Sequence, residues 1–307
     1  QATEAVHAVM SVRTRELVRA ALADSLDGVD PERTARILTD ATDALLDGVL
    51  SLATGMTIAL RDGATAVASG PRDDGTWPGA LARHAVIAMG RLGGAETAYA
   101  SDADVLFVHD ARPGADPRAA ADEAEVVARR VVRLLSQAQP RPFEVDADLR
   151  PEGRQGPMSR SLGSYADYYE RWSAVWERQA LLRARACAGD AGLGRAFEEL
   201  VAPLRWSPDG LDDKDMREIR RLKARMEAER LPRGTTPARH LKLGPGGLSD
   251  VEWAAQVLQL QHAARVPGLR TTSTLAALSA ARKAGLLTEA EEADLRGAWL
   301  LASRVRA

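Results

Sequence analysis

The spacing of apolar residues changes along this chain, and the changes mark out its parts. Over residues 3–26 apolar side chains, among them Val6, Val9, Leu17 and Leu22, recur at helical spacing. Asp30-Pro31-Glu32 then opens a second helix, with Asp30 as N-cap and Pro31 at the first helical position, predicted to run to Leu52. Residues 57–60 and 64–68 read as a small hairpin about Arg61-Asp62-Gly63, followed by a mobile loop over residues 70–75. Two unbroken apolar runs come next, residues 85–89 and 105–108, separated by a turn rich in glycine (Gly90, Gly93, Gly94). A helix begins at Asp116-Pro117, where Ala124, Val127, Ala128, Val131 and Leu134 form one stripe, and Pro140 and Pro142 end it. Residues 143–150 alternate as a strand does. The order strand, short helix, strand, long helix, strand describes a small sheet unit.

From Ser164 onward the pattern is almost wholly helical, with helices over residues 193–201, 213–230, 248–264, 272–284 and 289–304. The expected architecture is therefore α+β. Residues 1–52 hold N-terminal helices, 53–79 the hairpin and loop, 80–160 a small mixed sheet with flanking helices, and 161–307 a C-terminal helical bundle.

Composition narrows the function classes. The 41 basic and 43 acidic residues leave a net charge of -2, which gives no bulk attraction for nucleic acid or a membrane surface. The single cysteine, Cys187, excludes an intramolecular disulfide and a zinc site of several cysteines. No uninterrupted apolar stretch approaches the roughly 20 residues that span a bilayer, and no basic-then-apolar leader opens the chain, so a reducing cytoplasm is the simplest setting. Gln1 in place of Met, and a helical pattern still running at Arg306, read as a piece of something larger.

The candidate chemistry lies in Val86 to Asp110, VIAMGRLGGAETAYASDADVLFVHD. Asp102 and Asp104 alternate on a strand and so point to one face. Transfer of a nucleotidyl group asks for backbone N–H groups around a triphosphate, hard oxygen ligands for Mg²⁺, and a further carboxylate near the attacking hydroxyl. Gly93 and Gly94 can supply the first, Asp102 and Asp104 the second, and Asp146 or Asp148 on the following strand the third. A lone Asp-x-Asp is equally a solvated strand edge; the combination with a Gly-Gly turn and a third-strand acid is more specific.

Gly93-Gly94 followed by Ser101-Asp102-Ala103-Asp104 resembles the nucleotidyltransferase signature of the DNA polymerase β-like superfamily. GRLGGAETAYASDADVLFV, VDADLRPEGRQGP, YYERWSAVWERQALLRARACAGD and KLGPGGLSDVEW together resemble the glutamate–ammonia-ligase adenylyltransferase family, over residues 85–299. Members carry two such halves, one adenylylating a tyrosine of glutamine synthetase and the other removing the AMP by phosphorolysis. The run from Glu218 to Glu227, with Glu229 to Gly234, resembles the C-terminal, adenylylating half of actinobacterial members. The resemblance implies ATP as substrate, Mg²⁺ as cofactor, glutamine synthetase as partner and a PII-type signalling protein as regulator. It places Asp102, Asp104 and Asp146 as catalytic and metal-binding, ranks Asp148 below Asp146, and sets Gly93, Gly94, Ser101, Arg150 and Lys242 at the nucleotide. The same carboxylates would serve the deadenylylating direction, and a silent nucleotide-binding module is a third reading.

Other features carry two readings each. Arg150 and Arg154 either neutralise phosphate or form ion pairs at a strand end. Lys242-Leu243-Gly244-Pro245-Gly246-Gly247 before a helix is either an anion site or an ordinary turn, and Asp250 and Glu252 there favour the helix dipole. Tyr165, Tyr168, Trp172 and Trp176 form a stripe for helix packing or, alternatively, a ligand platform, and the charged helix 213–230 is a solvated face or a docking surface. His84, His109, His240 and His262 show no zinc spacing, and Cys187 reads as a small buried residue.

Overall fold

Strands without a polar face fix the architecture. The computed structural model describes residues 2–28, 30–63, 70–72, 76–139, 141–231 and 234–306. β1 (Ala82–Ala88) and β2 (Ala103–Ala111) pair antiparallel, Ala85 opposite Val108 and Ala88 opposite Val105. Both faces are covered, which is why the strands read as continuous apolar runs. Val86, Ala88, Val105 and Phe107 face one core, shared with α1 (Ala2–Asp27), α2 (Pro31–Asp62) and α4 (Pro117–Ser136). Ala85, Ile87, Met89, Leu106 and Val108 face the other, against α5 (Leu162–Trp172) and α7 (Ala191–Arg205). The short α3 (Gly90–Gly93) lies between β1 and β2.

The predicted N-caps are present: Asp30 accepts from the N–H groups of Glu32 and Arg33, and Asp116 from Ala119 N. α2 does not stop at Leu52. It continues to Asp62 through the segment expected to start a hairpin, while residues 64–69, the hairpin's expected second strand, and 73–75 of the expected loop lie outside the described residues. Tertiary packing overrides the β-branched composition here. The Thr54 and Thr57 hydroxyls bond the carbonyls four residues back, Ile58 is fully buried, and Gly55 admits the Trp77 ring, which a Cβ would approach to 2.6 Å. α2 is the one helix among the described residues long and apolar enough to cross a membrane by length and composition; half of that apolar window is buried against the rest of the protein.

Among the described residues the sheet has five strands, in the order β3-β2-β1-β5, with β4 also on β2. β3 (Val145–Asp146) and β4 (Ser159–Ser161) both run parallel to β2. β3 is far shorter than the predicted 143–150, because Asp146 Oδ1 accepts from Asp148 N at 2.7 Å and turns the chain. β5 (Arg185–Gly189) departs from expectation, since its residues lie in the region read as helical. It pairs antiparallel with β1, so the sheet draws a strand from beyond the predicted boundary at residue 160. Arg185 anchors it to Asp43 of α2 through bonds of 2.7 and 3.0 Å.

The aromatic stripe is broken rather than continuous. α5 ends at Trp172, which is exposed, and α6 (Val175–Leu181) starts a new axis, so only Tyr165 of the four is fully buried. Cys187 on β5 donates to Val86 O, and burial pushes its thiol pKa up, as for an inert packing residue. α8 (Asp213–Arg230) buries only Ile219. α9 (Leu248–His262), α10 (Thr274–Lys283) and α11 (Glu289–Arg306) share a core around Trp299.

Candidate active site

β2 and β3 place two carboxylates side by side, because parallel pairing sets Asp104 opposite Asp146. Asp102, expected on the strand, stands just before β2 begins at Ala103, and its charge still acts on Asp104. Asp104 feels the crowding: burial, then the charges of Asp102 and Asp146, push its pKa up to about 6, against the opposing pull of Lys242 and Arg230. Lys242, in the loop before α9, and Arg230, at the end of α8, therefore act on the same carboxylate.

Gly90 closes over this cluster. It has φ +50°, and a Cβ there would sit 2.2 Å from Asp104 Oδ2. The glycines expected at phosphate are placed differently. Gly93 is buried and packs on backbone: a Cβ would lie 1.8 Å from Arg183 O and 2.7 Å from Ala88 O. Gly94 is buried beside the Arg183 guanidinium. Gly93→Ala is expected to destabilise the fold by about 3 kcal/mol, since overpacking against backbone relaxes poorly. Urea unfolding measures this; unchanged stability with weakened nucleotide binding would return Gly93 to the phosphate role.

The remaining predicted residues separate by their bonds. Ser101 Oγ accepts from Ala98 N and closes the turn before β2. Arg150 is buried and donates to the carbonyls of Ala147 and Gly156, so it braces the loop, and Arg154 pairs with Asp148 at the surface. Glu152, between Arg150 and Arg154 in sequence, pairs with Arg160. At the glycine-rich turn before α9, Asp250 accepts from Gly246 N at 2.8 Å and pairs with Lys223, so the helix start carries its own anion. Two histidines distant in sequence, His84 and His109, meet in register across β1 and β2, where burial holds His84 neutral with a pKa of about 3.

The donor set fits Mg²⁺. Hard carboxylate oxygens converge where mutual repulsion already costs energy, and a divalent cation would offset that repulsion. Among the described residues, no three His, Cys, Asp or Glu side chains are arranged as a finished cage, and Asp146 Oδ1 is engaged by Asp148 N. Mg²⁺ at such sites keeps waters and substrate phosphates among its ligands, so two carboxylates suffice to start one.

Residues that the motifs did not reveal hold this site in place. Arg183 and Glu96 form a buried ion pair of 3.0 Å, and Glu96 also accepts from Thr274 N and Oγ1 at the start of α10. Burial pushes the Glu96 pKa up against the pull of Arg183. Glu96 follows the glycine turn by two residues, and an acid at that place in an otherwise small-residue loop was the available signal.

A mixed α+β protein with clustered carboxylates on adjacent strands is a class that several activities share, and comparison narrows it. The family model described as Glutamate-ammonia ligase adenylyltransferase matches residues 1–200. The chain belongs to that family. A second model, GlnD PII-uridylyltransferase, matches residues 217–307. A relative from Streptomyces coelicolor, called bifunctional glutamine synthetase adenylyltransferase/adenylyl-removing enzyme, is 52% identical over 307 residues, covering 99% of this chain and 30% of the relative. The protein of the same name from Mycobacterium tuberculosis (strain ATCC 25618 / H37Rv) is 48% identical over 303 residues, covering 98% and 29%. The chain thus spans about three tenths of the length of the curated relatives it matches.

Proposed function

We propose that this chain is the adenylylating half of a bifunctional enzyme, moving AMP from ATP to a tyrosine hydroxyl of glutamine synthetase in the cytoplasm. The observation that carries the reading is the pairing of Asp104 with Asp146 on adjacent parallel strands, with the charge of Asp102 acting on Asp104, in a member of this family. We read the sheet as a polymerase β-like nucleotidyltransferase core and α8–α11 as its C-terminal bundle.

Asp102 and Asp104 would hold Mg²⁺, with Asp146 completing the set, and the ion neutralises phosphate charge when bound. Asp146 accepts the proton of the incoming tyrosine hydroxyl or orients it, as its place beside Asp104 allows. The tyrosine oxygen bonds to the α-phosphorus as the bond to the bridging oxygen breaks, and pyrophosphate leaves. Lys242 and Arg230, whose charges already act on Asp104, stand where phosphate charge would build. Asp102 also lines a groove of about 820 Å³ beside α1, with Arg13, Phe143 and Glu144, which leaves room for a protein acceptor. The nucleophile comes from the partner, so no activated Ser or Cys is required here.

ATP labelled at the α-phosphate, with unmodified glutamine synthetase and Mg²⁺, tests the reading. Label on the glutamine synthetase is expected. Label that appears only as free ADP, from adenylylated glutamine synthetase carrying labelled AMP and given phosphate, would assign the opposite direction.

A further inference from the structure

A groove of about 360 Å³ between α6, α8 and α9 reaches Gly90 beside Asp104, and of its lining residues the AMP transfer described so far uses only Arg230. Its size falls in the range of small-molecule sites, roughly 300–1,000 Å³. Gly90 lines it, and Gly90 is also the residue whose missing side chain leaves space over Asp104 Oδ2. Gly90 therefore joins the groove to Asp104, although Asp102, Asp104 and Asp146 do not themselves line it.

Its walls are aromatic and aliphatic. Trp176 of α6 lines one part and stays 38% exposed, an indole left open in a cleft where the rest of α6 packs inward. Trp253 of α9 and Leu222 and Met226 of α8 supply further apolar wall. One polar feature interrupts it. Gln179 Nε2 donates to Gln256 Oε1 at 2.7 Å, which leaves the Gln179 carbonyl oxygen and the Gln256 amino group for a ligand. Arg225 and Arg230 of α8 and Arg183 add positive charge, against one negative charge from Glu229. A flat heteroaromatic ring, joined to an anionic chain that reaches Asp104, matches this order of surfaces.

We propose that the groove is the purine-base site of the nucleotide, with Trp176 as its stacking wall and the Gln179–Gln256 pair offering one acceptor and one donor to the amino edge of adenine. This rests on the nucleotide reading of the carboxylates and adds which residues select the base.

Equilibrium binding with Mg²⁺, without acceptor protein, tests it by comparing ATP with inorganic tripolyphosphate. Trp176→Ala is expected to raise the ATP dissociation constant about tenfold or more, as lost base stacking does, and to leave tripolyphosphate binding unchanged. Trp176→Phe should restore ATP binding to within about threefold, since a smaller ring still stacks. Trp176 is exposed enough for both variants to fold. Wild-type ATP affinity in Trp176→Ala overturns the base site alone, as does an equal loss for tripolyphosphate. Unchanged ATP affinity in Trp176→Ala joined to a weakened affinity for glutamine synthetase, read in a separate titration with that protein, assigns the groove to the protein acceptor and overturns it too. Failure of the wild-type chain to bind either anion overturns the underlying nucleotide reading with it.

Discussion

Asp104→Asn is expected to lower AMP transfer by on the order of 10³-fold while making the metal-free protein more stable. The two effects share one cause. Asp104 is forced to share a partly buried face with Asp102 and Asp146, and its pKa rises to about 6. On the proposed mechanism a bound divalent cation would offset that repulsion, so removing the charge is expected to cost about 4 kcal/mol of transition-state stabilisation. Without the cation the same charge is a burden. A carboxyl group whose folded pKa exceeds its unfolded one holds its proton more tightly in the native state. The contribution favours folding below about pH 4 and is lost as pH rises through 6. The asparagine variant has no such titration, so the stability gap should open between pH 4 and 7 and approach at most about 3 kcal/mol above that. Melting temperatures in chelator across that range, set beside the α-phosphate label transferred, check both halves. Retained transfer in the variant would remove Asp104 from the mechanism, and a gap that does not grow with pH would remove the crowding argument.

That crowding was half legible in the sequence. The expected proximity of Asp102 and Asp104 appears as a charge effect, although Asp102 lies just outside β2, and the runs at β1 and β2 announced strands buried on both sides. The cap residues Asp30 and Asp116 also fixed helix starts that the structure keeps. What failed were segments whose conformation is decided at a distance. β5 is built from Ala186, Cys187, Ala188 and Gly189, residues with little strand preference of their own. It is a strand because β1 offers an open edge and because Asp43 and Asp47 of α2 bond Arg185 and Gly189. Residues 57–60 look like a strand and are helix because α2 packs Thr57 and Ile58 into the core. The glycines show the same limit. Gly90, Gly93 and Gly94 are alike in sequence, and only the fold shows that Gly90 meets the carboxylate while Gly93 lets Arg183 pass. The groove beside Gly90 was beyond reach for a related reason, since Trp176 belonged to a stripe that the break after Trp172 divides.

Glu96→Ala should cost about 4 kcal/mol of folding stability, far more than deletion of an exposed acid. Glu96 and Arg183 are each nearly excluded from water, at 5% and 6% side-chain exposure. Deleting the carboxylate leaves a buried guanidinium without its counter-charge and strips Thr274 N and Oγ1 of their acceptor. Arg183 keeps bonds to Thr272 O and Thr274 Oγ1, which hold the side chain but do not neutralise it. The damage reaches the site because Arg183 is shared. Its carbonyl packs on Gly93, its guanidinium on Gly94, and its side chain lines the groove beside Gly90. Glu96→Gln separates the two roles: the amide oxygen still accepts from Thr274 N, while the charge is gone. The loss in Gln should therefore fall between wild type and Ala when both are unfolded in urea. Equal stability of Glu96→Ala and wild type would show that Arg183 finds water or another carboxylate, Glu252 being the nearest further acid whose charge acts on Glu96. If instead Gln matched Ala, the ion pair rather than the bond to α10 would be what joins the glycine turn to the C-terminal helices.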